Sequence, residues 1–225
     1  MKKLLLSSLV ATSIFTFAYT TTDVSNASFL ANQGIIVKQS IESNYRLDNT
    51  ITRAEAIGIA LKIKWVTLPD SYSCKKYFSD TTTNDWKCRA IELAADNGII
   101  TRNNTKARPN DTITRAEALA IVMKAGGVEI QNMPSINNYD PSLGDFVIDF
   151  MYTYSEYAWW QANVFYTYWI KWEFDRLNKT YKRCNLWPCH INLKFNDSAT
   201  RSEVFGFTKN ILEYKAKIVS GEVTN

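Results

Sequence analysis

The apolar positions between residues 85 and 125 recur with the spacing of two successive helices. In "DWKCRAIELAADNG", Asp85 is placed to cap a helix, and Gly98 is placed to end it in the left-handed conformation. The apolar stripe of this helix consists of Ile91, Ala94 and Ala95. A turn rich in Asn, Thr and Pro follows, and the helical spacing resumes after Thr114. The apolar residues of this second helix are Ala116, Leu119, Ala120, Val122 and Met123. The pattern predicts a helix–loop–helix unit.

The start of the second helix occurs three times in the chain. "ITRAEA" spans residues 51–56 and again 113–118, and a looser copy, "ATRSEV", spans residues 199–204. The sequences before the first two copies also match, since "SFLANQGII" (28–36) is similar to "ELAADNGII" (92–100). Self-similarity of this kind predicts a protein built from repeated units that pack against one another.

The threonine and the glutamate of each copy have the Thr-x-x-Glu spacing of a capping box. In this motif the threonine hydroxyl accepts a hydrogen bond from the amide three residues later, and the glutamate reaches back to the threonine amide. The predicted pairs are Thr52 with Glu55, Thr114 with Glu117, and Thr200 with Glu203. Each cap stabilises its helix by about 1 kcal/mol. Helix stability alone therefore explains these two residue types.

The arginine in each copy is not explained by helix stability. A cation in the first turn opposes the helix dipole, which costs from a few tenths to about 1 kcal/mol. One explanation is an ion pair with a nearby Asp or Glu. The other is an anion site, in which Arg53, Arg115 and Arg201 join the free amides of the helix start to bind a carboxylate or a phosphate.

The N-terminal residues indicate export. Lys2 and Lys3 precede an apolar run from Leu4 to about Ala18, which predicts a cleaved signal peptide over residues 1–20. A membrane anchor and a buried strand are the alternatives, but the run is short for a bilayer. We expect no transmembrane span in the mature chain. Without the two lysines the net charge is about +2, which is too small for a nucleic-acid-binding surface.

Four cysteines in an exported chain indicate disulfide bonds. By position they form two local pairs, Cys74–Cys88 and Cys184–Cys189. Closing the first loop, which is about 15 residues long, should stabilise the fold by roughly 3 kcal/mol. The alternative is a zinc site that also includes His190, the single histidine of the chain. Export and the uneven spacing argue against zinc, so we expect no metal.

These motifs together resemble the S-layer homology (SLH) domain of bacterial envelope proteins. The second unit matches most fully, with "YFSD" at residues 77–80, Trp86, the glycine-ended helix, "ARPND" and "TITRAEALAIVMKA". The resemblance implies a mainly α fold, in which three helix–loop–helix repeats have a pseudo-threefold arrangement around a central three-helix bundle. The expected units are 21–66 (truncated), 72–127 (most complete) and 144–217 (divergent), with a linker at 128–143 and an insertion at about 178–192.

The resemblance also implies a function. We expect a non-catalytic protein at the cell surface, in the cell wall or S-layer, that binds an anionic cell-wall polysaccharide, such as a pyruvylated one, in grooves between its repeats. The three motif arginines would bind the carboxylate. Trp86 would provide a stacking face, and Asp80 would bind sugar hydroxyls or fix its loop. Arg102 would replace the residue that often follows the helix-ending glycine. We expect no cofactor and no nucleic-acid partner.

An aromatic-rich segment leaves a second function open. Thirteen of the thirty Phe, Trp and Tyr residues lie between Phe146 and Phe174, and Trp159 or Trp160 corresponds to Trp86 of the second unit. These aromatic residues either pack on the bundle or form a surface for sugars or partner proteins. In the latter case the chain would be a structural surface-layer subunit that acts by self-association or protein–protein contact. No nucleophile elbow, phosphate-binding loop or dinucleotide motif is present in the sequence, so we expect no enzyme.

Overall fold

The computed structural model describes residues 19–81, 85–133, 159–168, 171–172 and 195–222. Within these ranges the chain forms six α-helices and no β-strand. The helices are α1 (Thr21–Asn32), α2 (Arg53–Ile63), α3 (Trp86–Asp96), α4 (Arg115–Gly126), α5 (Trp159–Tyr168) and α6 (Arg201–Ser220). The predicted mainly α fold is confirmed. None of these six helices is long and apolar enough to cross a bilayer.

Several predictions concern residues outside the described ranges. These are most of the signal peptide (residues 1–18), the Cys184–Cys189 pair and the insertion at 178–192. The linker at 128–143 is described as far as Met133. The first, second and third units are the predicted segments 21–66, 72–127 and 144–217.

Side-chain hydrogen bonds cap the N-termini of five of the six described helices. At α2, α4 and α6 the threonine hydroxyl accepts from the glutamate amide at 3.2–3.3 Å, and the glutamate accepts from the threonine amide at 2.9–3.2 Å. Helix α1 starts in the same way at Thr20, with Asp23 in place of the glutamate. Helix α3 starts after Asp85, whose carboxylate accepts from the amides of Lys87 and Cys88 at 3.0 Å. The local sequence therefore sets where each of these helices begins.

The turns that end α1 and α3 require a left-handed residue. Gly34 and Gly98 fill these places with φ angles of 72° and 70°. Beyond Gly98, the Ile99 amide donates to the Ala94 carbonyl at 2.8 Å and satisfies one of the last carbonyls of α3. The two similar segments that end in "GII" therefore share one helix-ending turn.

Three backbone hydrogen bonds link the units in a closed ring. The Ile51 amide donates to the Ala199 carbonyl at 3.1 Å, and the Ala199 amide donates to the Ile113 carbonyl at 2.8 Å. The Ile113 amide closes the ring by donating to the Ile51 carbonyl at 3.1 Å. All three residues are fully buried. The ring relates the three helix starts cyclically, and the complete pseudo-threefold arrangement stays a prediction.

The first helix of each unit packs on the second helix of the preceding unit. Helix α3 of the second unit packs on α2 of the first, and α5 of the third packs on α4 of the second. Helix α1 of the first unit packs on α6 of the third. The second helices also pack on one another, α2 on α4 and α4 on α6. Each unit therefore buries its apolar surface against its neighbours, as repeats do when none can form a core alone.

Helices α4 and α6 approach each other closely at Gly126. A Cβ atom built at this position would overlap the side chain of Ile211, which is fully buried. Any larger residue at position 126 would therefore push the two helices apart. The glycine has a packing role here, because its backbone is within the helix and not in the left-handed region.

The Cys74–Cys88 disulfide, which the sequence predicts, is confirmed and joins the segment before α3 to the first turn of α3. Glu92, one turn further along, is fully buried. Its carboxylate accepts from the amides of Lys75 and Tyr77 at 2.6 and 3.0 Å and from the Tyr72 hydroxyl at 3.1 Å. Burial and this hydroxyl bond raise the pKa of Tyr72 to about 12. The disulfide and Glu92 thus fix residues 72–77 to α3.

The sulfur atoms of Cys74 and Cys88 lie close to an oxygen of Glu92, and all three atoms are potential metal ligands. Zinc binds cysteine as the thiolate, and here both sulfurs are committed to the disulfide. The Glu92 oxygens already accept three hydrogen bonds. The cluster is therefore explained as a covalent and polar clamp on the chain.

Replacing both cysteines, as Cys74→Ala/Cys88→Ala, should lower the free energy of unfolding by about 3 kcal/mol, because the unfolded chain regains the freedom of a closed loop of about 15 residues. Urea unfolding followed by circular dichroism measures this change. The control is Tyr72→Phe, which removes one hydrogen bond to Glu92 and keeps the disulfide. An unchanged unfolding midpoint in the double variant would contradict the prediction.

Candidate ligand-binding groove

A groove with a volume of about 550 Å³ lies where the three units meet. The first unit contributes Arg53, and the second contributes the loop after α3 and one face of α4. The third unit contributes α5, and the segment before it also reaches the groove. The lining residues are Arg53, Ile99, Ile100, Thr101, Asn104, Glu117, Ala120, Ile121, Lys124, Ile130, Asn132, Trp160, Asn163 and Val164.

The groove combines an apolar surface with a few polar groups, as ligand sites commonly do. Its apolar lining residues are isoleucines, Ala120, Val164 and Trp160. Trp160 is 46% exposed, so a large part of its ring is open to solvent. Asn163 donates to Asn132 at 3.0 Å and accepts from the Met133 amide at 2.9 Å. These hydrogen bonds hold Asn132 and Met133, in the described part of the linker after α4, beside the groove.

Arg53 enters the groove from the start of α2 with a side chain that is 15% exposed. Its Nη1 lies 3.4 Å from Glu117 Oε1, and Arg108 also donates to Glu117 Oε1. Its Nε is buried and has no hydrogen-bond partner among the described residues. Burial lowers the pKa of Arg53, Glu117 opposes that change and Arg108 adds to it. An arginine remains charged in this setting, so the groove contains a cation with unused donors.

The other two motif arginines make closer contacts with protein groups. Arg201 donates from Nε to the Tyr45 carbonyl at 2.9 Å and from Nη1 to Glu55 Oε1 at 3.2 Å. Arg115 Nε lies 3.1 Å from Glu203 Oε1. Burial lowers the pKa of Arg201, while Glu55 raises it. The groove described here is lined by Arg53 and by neither of these two residues.

The three arginine contacts follow one cyclic rule. Each arginine contacts the capping-box glutamate of the next unit, as Arg53–Glu117, Arg115–Glu203 and Arg201–Glu55. In each glutamate, Oε2 completes its own capping box while Oε1 faces the arginine. We call this set the arginine–glutamate ring. It is the ion-pair explanation that the sequence left open.

The helix-start amides are not free, which corrects one part of the anion-site hypothesis. The amides of Arg53, Arg115 and Arg201 donate to the carbonyls of Asp111, Asp197 and Asn49 at 2.8–3.0 Å. The next amide of each helix donates to a second carbonyl of the same loop. The loops of neighbouring units therefore occupy the donors that an anion would use. An anion in this structure would meet the guanidinium and not the helix amides.

Comparison with known proteins places the second unit in a family. A family model of the S-layer homology domain matches residues 77–119. Residues 77–119 are an S-layer homology domain. They include α3, the loop after it and the first part of α4, so they supply five of the residues that line the groove.

The related proteins are polysaccharide-degrading enzymes by name. The chain is 40% identical over 90 residues to an amylopullulanase of Thermoanaerobacterium thermosulfurigenes, which covers 40% of this chain and 5% of that protein. It is 38% identical over 90 residues to exoglucanase XynX of Acetivibrio thermocellus, covering 40% of this chain and 8% of that protein. It is 39% identical over 82 residues to endo-1,4-beta-xylanase A of Thermoanaerobacterium saccharolyticum, and this match covers 36% of this chain and 7% of that protein. The chain thus spans less than a tenth of the length of these relatives.

Asp80 of the S-layer homology domain binds backbone amides of the loop before α4. Its two oxygens accept from the amides of Ala107 and Arg108, each at 2.8 Å. This holds Arg108 in the left-handed region, at φ 56°, with its guanidinium against Glu117. Of the two roles expected for Asp80, these contacts favour fixing the loop. The residue still bears on the groove, because Arg108 shares Glu117 with Arg53.

Two other predicted site residues of the S-layer homology domain lie away from the groove. Trp86 is 42% exposed at the first position of α3 and is not part of the groove lining. Arg102 pairs with Asp96 and lies over the Tyr77 ring, with its guanidinium carbon 3.9 Å from the ring centre. The structure thus does not bring either residue to Arg53. Their ligand-binding roles stay predictions.

The described aromatic residues of the 146–174 segment mostly pack in the core. Phe165 stacks on Phe195 at 4.3 Å between ring centres, and Tyr168 meets Phe207 edge-on at 5.3 Å. Trp160 is the described aromatic residue of this segment that opens into the groove. The sequence offers Trp160 as a counterpart of Trp86 but does not place it beside Arg53. Nor does the sequence pattern single out the groove residues Lys124, Asn132 and Asn163.

A double-mutant cycle tests the arginine–glutamate ring at Arg201 and Glu55. The side chains are 19% and 35% exposed, so the coupling energy should be about 1–2 kcal/mol, between the values of exposed and buried ion pairs. The variants are Arg201→Gln, Glu55→Gln and the double change, compared by urea unfolding. Glutamine at position 55 preserves the capping box.

The matched control is the pair of Lys209 and Glu213, which lie one helical turn apart on α6 at 2.8 Å. A helix-surface pair of this kind should couple by only about 0.3–0.5 kcal/mol. Equal coupling energies in the two cycles would contradict a special role of the contacts between units.

Proposed function

We propose that this chain is a non-catalytic cell-envelope module that binds an anionic cell-wall polysaccharide in the groove lined by Arg53. The observation that carries the proposal is the groove itself, where a desolvated guanidinium, an exposed tryptophan and an apolar surface converge. The S-layer homology domain at residues 77–119 supplies five of its lining residues. The location that follows is the cell surface.

The chemistry of the groove suits a sugar that carries an acid group. A guanidinium donates two parallel hydrogen bonds to a carboxylate, and in a partly buried site such a contact is stronger than in water. Trp160 offers a flat apolar ring with one polar N–H, which can lie against the apolar face of a sugar. Asn104 and Asn132 offer amides for hydroxyl groups. A pyruvate ketal would supply the carboxylate on the sugar itself.

Arg53 can bind an anion without leaving Glu117 unpaired. Glu117 also accepts from Thr114, at 3.2 Å to its amide, and from the Arg108 guanidinium. The Arg53 contact to Glu117 is the longest in the arginine–glutamate ring, at 3.4 Å against 3.1 and 3.2 Å. A ligand carboxylate can therefore engage Arg53 while the capping box and Arg108 continue to hold the glutamate.

The similarity to the relatives does not extend their catalytic activities to this chain. The similarity covers 82–90 residues, which is 5–8% of each relative's length. So small a part does not carry over the amylopullulanase, exoglucanase or xylanase activity in their names. The surface-layer subunit that acts by self-association stays a second prediction, because most of its aromatic segment lies outside the described residues.

Binding should depend on Arg53 more than on the other two motif arginines. We expect Arg53→Gln to weaken binding to purified cell walls of the source organism by about tenfold or more, since a hydrogen bond to a charged group contributes about 1.5–3 kcal/mol. Arg115→Gln and Arg201→Gln break equivalent contacts between units but leave the groove cation in place, so they should bind as the wild type does. Co-sedimentation with walls measures this.

Circular dichroism and urea unfolding must first show that all three variants are folded. Walls stripped of their bound polysaccharide serve as the negative control and should retain none of the proteins. Undiminished binding by Arg53→Gln would contradict the proposal, and an equal loss in all three variants would contradict the assignment to this groove.

A further inference from the structure

One face of α4 lines the groove over two helical turns. Glu117, Ala120, Ile121 and Lys124 all contribute to it, and their spacing of three, four and seven residues is that of one helix face. At a rise of 1.5 Å per residue, Lys124 lies about 10 Å along the helix from Glu117. Because Arg53 contacts Glu117, the two cations of the groove are near opposite ends of this face.

Lys124 is exposed and makes no ion pair with any described residue. Its helix neighbours explain why. The residues three and four positions before it are Ile121 and Ala120, and those three and four positions after it are Gly127 and Val128. None can pair with an ammonium group, so no acid on α4 holds it. The nearest acid along the chain, Glu129, is not part of the groove lining.

The charges around the groove favour a ligand with more than one negative group. The charged lining residues in the described part are Arg53, Lys124 and Glu117. Glu117 is also paired with Arg108, which lies just behind it. The groove and its immediate surroundings therefore hold three cations and one carboxylate, and that carboxylate already accepts hydrogen bonds from its capping box. A single carboxylate on the ligand would leave one cation without a partner.

We infer that the groove binds two anionic groups of the same polysaccharide, one at Arg53 and one at Lys124, toward opposite ends of the α4 face. This inference rests on the proposed function and names the ligand class more closely, as a polymer with acid groups on successive or alternate sugars. Lys124 acts here as a specificity residue that selects for the second charge. The groups are carboxylates or phosphates, both of which an ammonium and a guanidinium bind.

The chain offers a matched control at the same position of the first unit. Lys62 stands ten residues after Thr52, just as Lys124 stands ten residues after Thr114. Both lysines are exposed in the last turn of their helices, where a cation also favours the helix dipole. Lys62 is not part of the groove lining. Any effect on helix stability or on net charge is therefore shared, whereas an effect on the groove is not.

The test measures the affinity of purified cell-wall polysaccharide for the wild type, Lys124→Gln, Lys62→Gln, Arg53→Gln and Arg53→Gln/Lys124→Gln. We expect Lys124→Gln to weaken binding about 2- to 5-fold, as a single partly exposed ionic contact does, and Lys62→Gln to leave it unchanged. In the double variant the two fold-losses should multiply, because sites this far apart act independently. If both cations bound the same anionic group, the double variant would lose less affinity than the product of the two single losses.

Two treated polymers identify the anionic groups. In one polymer the carboxyl groups are reduced, and in the other the phosphate is removed with hydrofluoric acid. If Lys124 binds a carboxylate, wild type and Lys124→Gln should bind the reduced polymer with equal affinity. If Lys124 binds a phosphate, they should bind the dephosphorylated polymer with equal affinity. Binding that depends on Arg53 but is unchanged in Lys124→Gln would overturn this inference alone. An equal loss in Lys62→Gln would also overturn it. Absence of binding by the wild type would overturn the proposed function, and this inference with it.

Discussion

The contact between the arginine of one unit and the capping glutamate of the next is the interaction on which the rest of the structure depends. The glutamate side chain is already held by its own threonine, and the backbone of the arginine is held because its amide donates to the neighbouring loop. The ion pair therefore adds an arginine side chain with a fixed backbone to a glutamate that is already ordered, which lowers the entropy cost of forming the pair. This explains a cation in the first turn of a helix, where the dipole alone would disfavour it.

The same contacts decide where a ligand can bind. Because each first helix packs on the second helix of the preceding unit, the spaces between these packed helices are built from more than one unit. The groove takes its guanidinium from the first unit, its long face from α4 and its tryptophan from α5. The arginine–glutamate ring joins the starts of α2 and α4, which supply the first two of these parts, and α5 packs on α4. In the groove, Arg53 belongs both to the ring and to the proposed site, and its contact is the longest of the three.

Local sequence predicted the elements well because their signals are local. The capping threonines, Asp85, Gly98 and the Cys74–Cys88 pair each act on residues within 14 positions of themselves. The partner of each arginine was not predictable in this way, since Arg53 and Glu117 lie far apart in the chain and meet only after the units pack. For the same reason the sequence indicated free amides at the helix starts, although loop carbonyls of another unit occupy them. Lys124 had one usable signal, its seven-residue spacing from Glu117 on the same helix face.

The units are linked in a closed ring, and we expect them to unfold as one body. Native-state hydrogen exchange at the amides of Ile51, Ile113 and Ala199 tests this directly, because these three amides form the ring. All three amides should open with the same free energy, equal to that of global unfolding measured with urea. Lower and unequal opening free energies at these amides would show that the units unfold separately. That result would contradict cooperative unfolding of the three linked units.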